Sequence, residues 1–250
     1  MSFSGSNINS AASRAGQFNT THWSAVLLAG QTEAPQAEKA LESLCRAYWP
    51  PLYAYVRRQG HSHHDAQDLT QAFFARLLQK KYLKLASEDR GRFRSFLLKS
   101  LNHFLVNEWA RGQAIRRGGG QKLFMLDEEA AERILQQEPS SHLPSESFYD
   151  KRWAITLLER AMEILSAEYA ASGKGELFVH LKKWLVAEGS LKSYRELAGL
   201  LGMNEGAVKV AVHRLRQRFR ETVRSEIAQT VASPADIDEE LRFLMSALSL

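Results

Sequence analysis

"GMNEGAVKVAVHRLRQRF", residues 202–219, decides how this chain is read. Gly202 can end a preceding helix by taking a left-handed conformation, and Asn204 is a good N-cap for the next. Val208, Val212, Leu215 and Phe219 then recur at i, i+4, i+7 and i+11, one apolar stripe on a helix. Opposite the stripe lie Gly206, Val210, His213, Arg214 and Gln217. Just upstream, "YRELAGLLG" (194–202) gives a short helix whose Leu197, Ala198 and Leu201 can pack against it. Two helices joined by a tight turn containing glycine form a helix-turn-helix, and the second enters a major groove with its N-terminal end first. The rival is a basic helical hairpin with a solvated outer face.

The rest of the chain bounds that reading. Its 250 residues suit one large domain or two small ones. A single cysteine, Cys45, excludes an internal disulfide and suits a reducing cytoplasm, the expected location. No apolar run approaches the ~18 residues that span a bilayer, so no membrane partner is expected. The opening "MSFSGSNINSAASRAGQFNTT" lacks a signal-peptide pattern and reads as disordered. Alternating β-branched segments are scarce, so the expected class is all-α.

The net charge of +5 is modest, but its distribution is informative. Arg90, Arg92, Arg94, Lys99, Arg111, Arg116 and Arg117 face only Glu108 in their segment. A second basic segment runs from residue 190 to 224, with Lys192, Arg195, Lys209, Arg214, Arg216, Arg218, Arg220 and Arg224. Between them, residues 118–150 are acidic. Two basic segments flanking an acidic one suggest two separate polyanion contacts.

Helices are expected at 20–30, from Pro35 up to the prolines at 50 and 51 with Leu41, Leu44 and Tyr48 on one face, at 52–59, at 62–80 and at 95–111. The pair Pro50–Pro51 should separate the second from the third. Gly60 closes the third. "SHHD" (62–65) is a capping box for the fourth, whose apolar face holds Ala66, Leu69, Phe73 and Leu77. Leu98, Leu101, Leu105 and Trp109 should face inward from the fifth. Glycines 118–120 end this unit. Helices resume at 149–171 and 176–188. The tail "SPADIDEELRFLMSALSL" (233–250) has Ser233 as N-cap and Pro234 at N1. Its stripe is Ile237, Leu241, Leu244, Met245 and Leu248, with acids on the outer face. Such a stripe must be buried against its own domain or a partner.

Two more constellations carry chemistry. In "DAQDLTQAFFARL" (65–77), Asp65, Asp68, Gln71 and Ala72 share the face opposite the apolar stripe and could dock on a basic partner helix. In "RGRFRSFLLKSLNHFLVNEWARGQAIRR" (90–117), Lys99, His103 and Asn107 line one face with Phe96 beside them. Cations interleaved with aromatics suit single-stranded or melted DNA, because cations hold phosphates while aromatic pockets accept unstacked bases. The His61, His63, His64 and Asp65 cluster fits no closed zinc pattern. No phosphate loop or nucleophile elbow occurs. The expected protein is not an enzyme and has no cofactor or metal.

Taken in order, "DAQDLTQAFFARLL", "GRFRSFLLKSLNHFLVNEWARGQAIRR" and "YRELAGLLGMNEGAVKVAVHRLRQRFRE" resemble the extracytoplasmic-function (ECF) sigma factors of bacterial RNA polymerase, sigma-70 family. The likeness covers residues 20–224. It implies a disordered tail (1–19), a sigma region 2-like domain (20–117) and a linker (118–148). A region 4-like helix-turn-helix domain (149–227) and an extension helix (228–250) complete the chain. It further implies core RNA polymerase as partner, bound through Asp65, Asp68, Gln71, Ala72 and Arg76. Arg90, Arg92, Arg94, Phe96, Lys99, His103, Asn107, Arg111, Arg116 and Arg117 would open and hold the −10 element. Asn204, Glu205, Gly206, Lys209, Val210, His213, Arg214 and Gln217 would read the −35 duplex. The acidic linker would thread the polymerase's RNA-exit region. A serine/threonine kinase or an anti-sigma factor is the implied regulator.

The chain departs from the family where Gln67 and Ala72 replace common acids, which weakens docking on a basic partner. Phosphorylation at Ser62 or Thr70 would add negative charge there. Val210 and Ala211 replace polar and basic residues, offering apolar contact to thymine methyls instead of a phosphate contact. The alternatives are a stand-alone helix-turn-helix regulator and a sigma-derived adaptor that binds protein.

Overall fold

A computed structural model describes residues 35–77, 92–112, 143–185 and 191–249. The helix expected at 20–30, most of the 118–148 linker, and Arg90, Arg116 and Arg117 lie outside them. Eight α-helices occur among the described residues, and no strand does. They are α1 (Pro35–Arg58), α2 (His63–Leu77), α3 (Phe93–Gly112), α4 (Ser145–Ala171), α5 (Gly175–Leu181), α6 (Leu191–Leu201), α7 (Glu205–Ala228) and α8 (Ile237–Leu248). Short 3-10 turns, Lys182–Leu185 and Pro234–Asp236, follow α5 and precede α8.

The prolines do not separate two helices: α1 runs through Pro50 and Pro51. Each proline removes a backbone donor, so the carbonyls of Arg46 and Ala47 lose their i+4 partners at a cost of about 3 kcal/mol per proline. Tertiary burial offsets this. Leu44, Cys45, Tyr48, Trp49, Leu52, Tyr53 and Val56 are all buried, and each large apolar side chain contributes about 1.5–3 kcal/mol. Gly60 then closes α1 with φ of 94°. Ser62 begins α2 as expected, its Oγ accepting from Asp65 N at 3.2 Å and donating to the Asp65 carboxylate at 2.7 Å.

Two hydrophobic cores share two long helices. The first gathers α1, α2, α3, the front half of α4 through Tyr149, Trp153, Leu157 and Ala161, the end of α7 through Val223 and Ile227, and α8 through Leu244 and Ala247. The second gathers Leu165 from the back half of α4, Phe178, Leu181, Trp184, and Leu197, Ala198, Val208, Val212 and Leu215 of the helix-turn-helix. At 1.5 Å per residue the 27-residue α4 is a strut of about 40 Å linking both. It begins at Ser145, four residues before the expected start. Arg160 Nε donates to buried Glu226 at 3.0 Å, and Arg218 forks onto Glu168, tying α7 along it.

Two inward assignments change. Trp109 is 71 % exposed, because Leu97 and Phe104 with Leu101 form the buried side of α3. On α8, Met245 is exposed and Glu240 wholly buried, so the acids do not all lie on the outer face.

Candidate nucleic-acid interface

The first surface is the outward side of α7. Gly202 takes φ of 61°, and Met203 N donates back to Ala198 O at 3.0 Å, closing α6. Asn204 Oδ1 then accepts from Ala207 N at 2.7 Å and starts α7. The apolar stripe turns inward as its spacing predicts: Val208, Val212 and Leu215 are buried, and Phe219 packs between the two cores. Opposite it, Asn204, Gly206, Lys209, Val210, His213, Arg214 and Gln217 are all exposed, with Glu205 half-buried. Lys209 Nζ lies 2.8 Å from Glu205 and 5.8 Å from the Tyr194 ring centroid, so α6 helps orient it. The face offers backbone donors at its tip, cations along its flanks and one apolar side chain, Val210, at its centre. Arg216 turns inward instead, Nε donating to Trp184 O at 2.9 Å.

The second surface is a cleft of about 630 Å³ between α2 and α3. Phe96, Lys99, His103 and Asn107 line it from α3, and Phe73, Arg76 and Leu77 from α2. The i, i+4, i+8 spacing thus places three polar side chains along one wall, with Phe96 and Phe104 supplying aromatic surface. Sequence reasoning missed Phe104 of α3 here, and it missed Phe73 and Arg76 because the wall from α2 depends on how two helices cross. Arg76, expected on the polymerase-docking side, packs over Phe104 at 5.8 Å and lies 3.8 Å from Glu108. Cation, aromatic and polar groups in one cleft suit a phosphate with an unstacked base beside it.

The arginines expected to extend this surface are elsewhere. Arg94 is buried: Nε donates to Glu240 at 2.7 Å and Nη1 to Asp150 at 2.6 Å, with the guanidinium 3.7 Å from the Phe243 ring centroid and 5.1 Å from that of Trp153. Arg92 pairs with Glu239 and Glu240. Burial pushes the Asp150 carboxyl above the usual range, and the Arg94 charge opposes the shift. Nothing is described of the Arg111 side chain.

The third surface is the exposed side of α2, with Asp65, Asp68 and Ala72 open and Gln71 half-buried. Thr70, expected as a possible phosphorylation site, is not part of that side. It is fully buried, its hydroxyl donating to Ala66 O at 2.7 Å, so a kinase could reach it only after the core opened. Ser62 is exposed, with its hydroxyl engaged in the α2 cap. His63 Nδ1 meets the Tyr53 hydroxyl at 2.7 Å, and no group of three His, Cys, Asp or Glu able to hold a metal occurs among the described residues. Burial pushes the Cys45 thiol up to about 12, which makes it a core residue rather than a nucleophile. No described helix is long and apolar enough to cross a membrane.

Comparison with known proteins gives the following likenesses. Residues 44–115, from within α1 to just past α3, match the family described as Sigma-70 region 2. Over 192 residues the chain is 23 % identical to the "ECF RNA polymerase sigma factor SigE" of Mycolicibacterium smegmatis. That alignment covers 77 % of this chain and 65 % of the relative's length. No solved structure matches.

Proposed function

The chain belongs to the ECF sigma-70 family, and from that premise we propose that it is a promoter-specificity subunit of RNA polymerase. On this reading the cleft between α2 and α3 holds the melted −10 strand. Lys99 contacts phosphate, Phe96 stacks on an unpaired base, and His103 and Asn107 meet base edges. The outward side of α7 reads the −35 duplex. Its N-terminal tip and Lys209 and Arg214 hold phosphates, while Gln217 and Val210 face the bases, Val210 against a thymine methyl. Asp65 and Asp68 dock on a basic surface of core polymerase. The acidic linker threads the polymerase's RNA-exit region.

The cleft is the observation that carries this reading. A stand-alone helix-turn-helix regulator needs no second site where aromatic and cationic groups converge, and this one is built from the residues that match sigma region 2. The test is capture of the host's core polymerase on immobilised protein. The wild type should retain both large catalytic subunits. Asp68→Lys should weaken capture about tenfold, the effect of losing about 1.4 kcal/mol from one docking charge. Failure of the wild type to retain polymerase would leave the stand-alone regulator as the better account.

A further inference from the structure

We propose that α8 is an internal anionic plug: Glu239 and Glu240 occupy an anion site made by Arg92 and Arg94 that would otherwise take DNA phosphates. The inference rests on the promoter-binding reading only for the identity of the competing anion.

The geometry is that of a ligand in a site. Glu240 is wholly buried, and its Oε1 accepts from Arg94 Nε at 2.7 Å. Its Oε2 lies 2.7 Å from Arg92 Nε yet out of line for a hydrogen bond, so charge rather than directed bonding holds that contact. Glu239 pairs with Arg92 from the rim. Phe243, one turn on from Glu240, closes over the Arg94 guanidinium. Arg224 on α7 fixes the start of α8 through Asp238 at 2.5 Å. The two α8 carboxylates therefore sit on the two guanidinium groups much as phosphate oxygens would, while Asp150 of α4 keeps the Nη1 edge of Arg94 at 2.6 Å and leaves its Nε edge and Arg92 as the part of the site that α8 fills.

Glu240 also interrupts an otherwise apolar stripe. Ile237, Leu241, Leu244 and Leu248 pack on the first core, and an alkyl side chain at 240 would continue them. A buried ion pair is a weak source of stability compared with hydrophobic residues of similar volume. It does make the contact conditional, because a competing polyanion can replace the carboxylates but could not replace a leucine.

The plug holds more than two side chains. Phe93 N donates to Thr230 O at 3.2 Å, so the start of α3 is pinned to the turn that leads into α8. Together with the shared α4, this fixes the cleft and the outward side of α7 in one body. Two DNA elements named for positions −10 and −35 lie about 25 base pairs, or roughly 85 Å, apart along B-DNA. A body braced by a strut of about 40 Å has to open before both surfaces reach their elements. Because α8 is tethered, it competes at an effective concentration of order millimolar.

The probe is a fluorescent 20-residue oligothymidylate, titrated into the full chain at several salt concentrations. Glu239→Lys is the first variant, since that side chain is 63 % exposed and its loss leaves no cavity. Glu163→Lys, exposed on α4, is the charge-matched control. Glu240→Gln is the second variant, used if circular dichroism shows it folded. The wild type should bind weakly and the control at most twofold better. Glu239→Lys should bind about tenfold more tightly, with a salt slope steeper by about 1.4, or two phosphates at 0.7 each. Adding Arg94→Gln should remove the gain. Folded Glu239→Lys binding no better than the control would overturn the plug. Transcription with core polymerase is run in parallel. Normal initiation with no gain in oligonucleotide binding sinks the plug and leaves the proposed function standing. A gain in binding without initiation from any protein supports the plug and sinks the proposed function.

Discussion

Phe96 and Lys99 stand one turn apart in the cleft, and their roles separate in measurement. Phe96→Ala should lower affinity for a single-stranded −10 oligonucleotide by roughly 5- to 150-fold, the worth of about 1–3 kcal/mol of stacking. Lys99→Ala should lower the salt slope by about 0.7, one phosphate contact, with little change in base preference. Neither should alter binding of a −35 duplex, and fluorescence anisotropy reads all three. Glu168 gives a pH test. The hydrogen bond from Arg218 holds its carboxyl below the ordinary 4.5, so the pair adds stability above that value and loses it as pH falls through the lowered one. Both partners are half exposed, so Glu168→Gln should cost at most about 0.5 kcal/mol at pH 7 in urea melts, with the difference closing in acid. Asp150, whose carboxyl is raised, works in the opposite sense: its contribution is fullest in acid and declines as pH rises through the raised value. At this scale the sequence was legible where a local apolar stripe forces its neighbours outward. Lys209, His213 and Arg214 are outward because the stripe on α7 leaves them nowhere else. It was illegible where burial depends on a distant partner. Arg94 reads as one more loop cation until Glu240, 146 residues on, is placed against it. Thr70 reads as a hydroxyl open to phosphorylation until α2 is packed.

Helix ends set by neighbouring residues were readable, and helix continuity was not. The α6–α7 turn rests on Gly202 and Asn204 alone, so Asn204→Ala should cost about 1 kcal/mol of stability and weaken −35 binding by loosening the helix tip. Both effects are measurable, by thermal melting and duplex titration. Gly202, Asn204, Ser62 and Gly60 act within a few residues, and each behaves as its local chemistry dictates. Pro50 and Pro51 act locally too, yet the helix survives because the core around Tyr48, Trp49 and Leu52 outweighs the lost bonds. Half-buried Pro50 therefore marks tolerated strain. Pro50→Ala should restore one helical donor and raise stability by about 2 kcal/mol, net of the added freedom of the unfolded chain. A lowered melting temperature would mean that the proline is required for the path of α1. Periodicity alone also misassigned Trp109 and Met245, since a stripe read from spacing does not say how wide the buried side will be.

At the scale of the whole molecule, the all-helical class was legible, because helix periodicity survives without coordinates. The way the units share α4 and α7 was not. Tyr149 to Ala161 look like the start of a second domain, yet they complete the first core, and only the crossing of α1 with α4 reveals it. The proposed account makes this shared body a closed precursor with its DNA surfaces on one frame, released to span two promoter elements on polymerase. Sequencing the 5′ ends of transcripts made in vitro from the host's genomic DNA tests that claim most directly, comparing core polymerase with and without the protein. The account predicts new start sites preceded by two recurring sequences about 25 base pairs apart, with the upstream one altered by substitution of Val210. New start sites sharing only one such sequence, or none above the core enzyme alone, would contradict it.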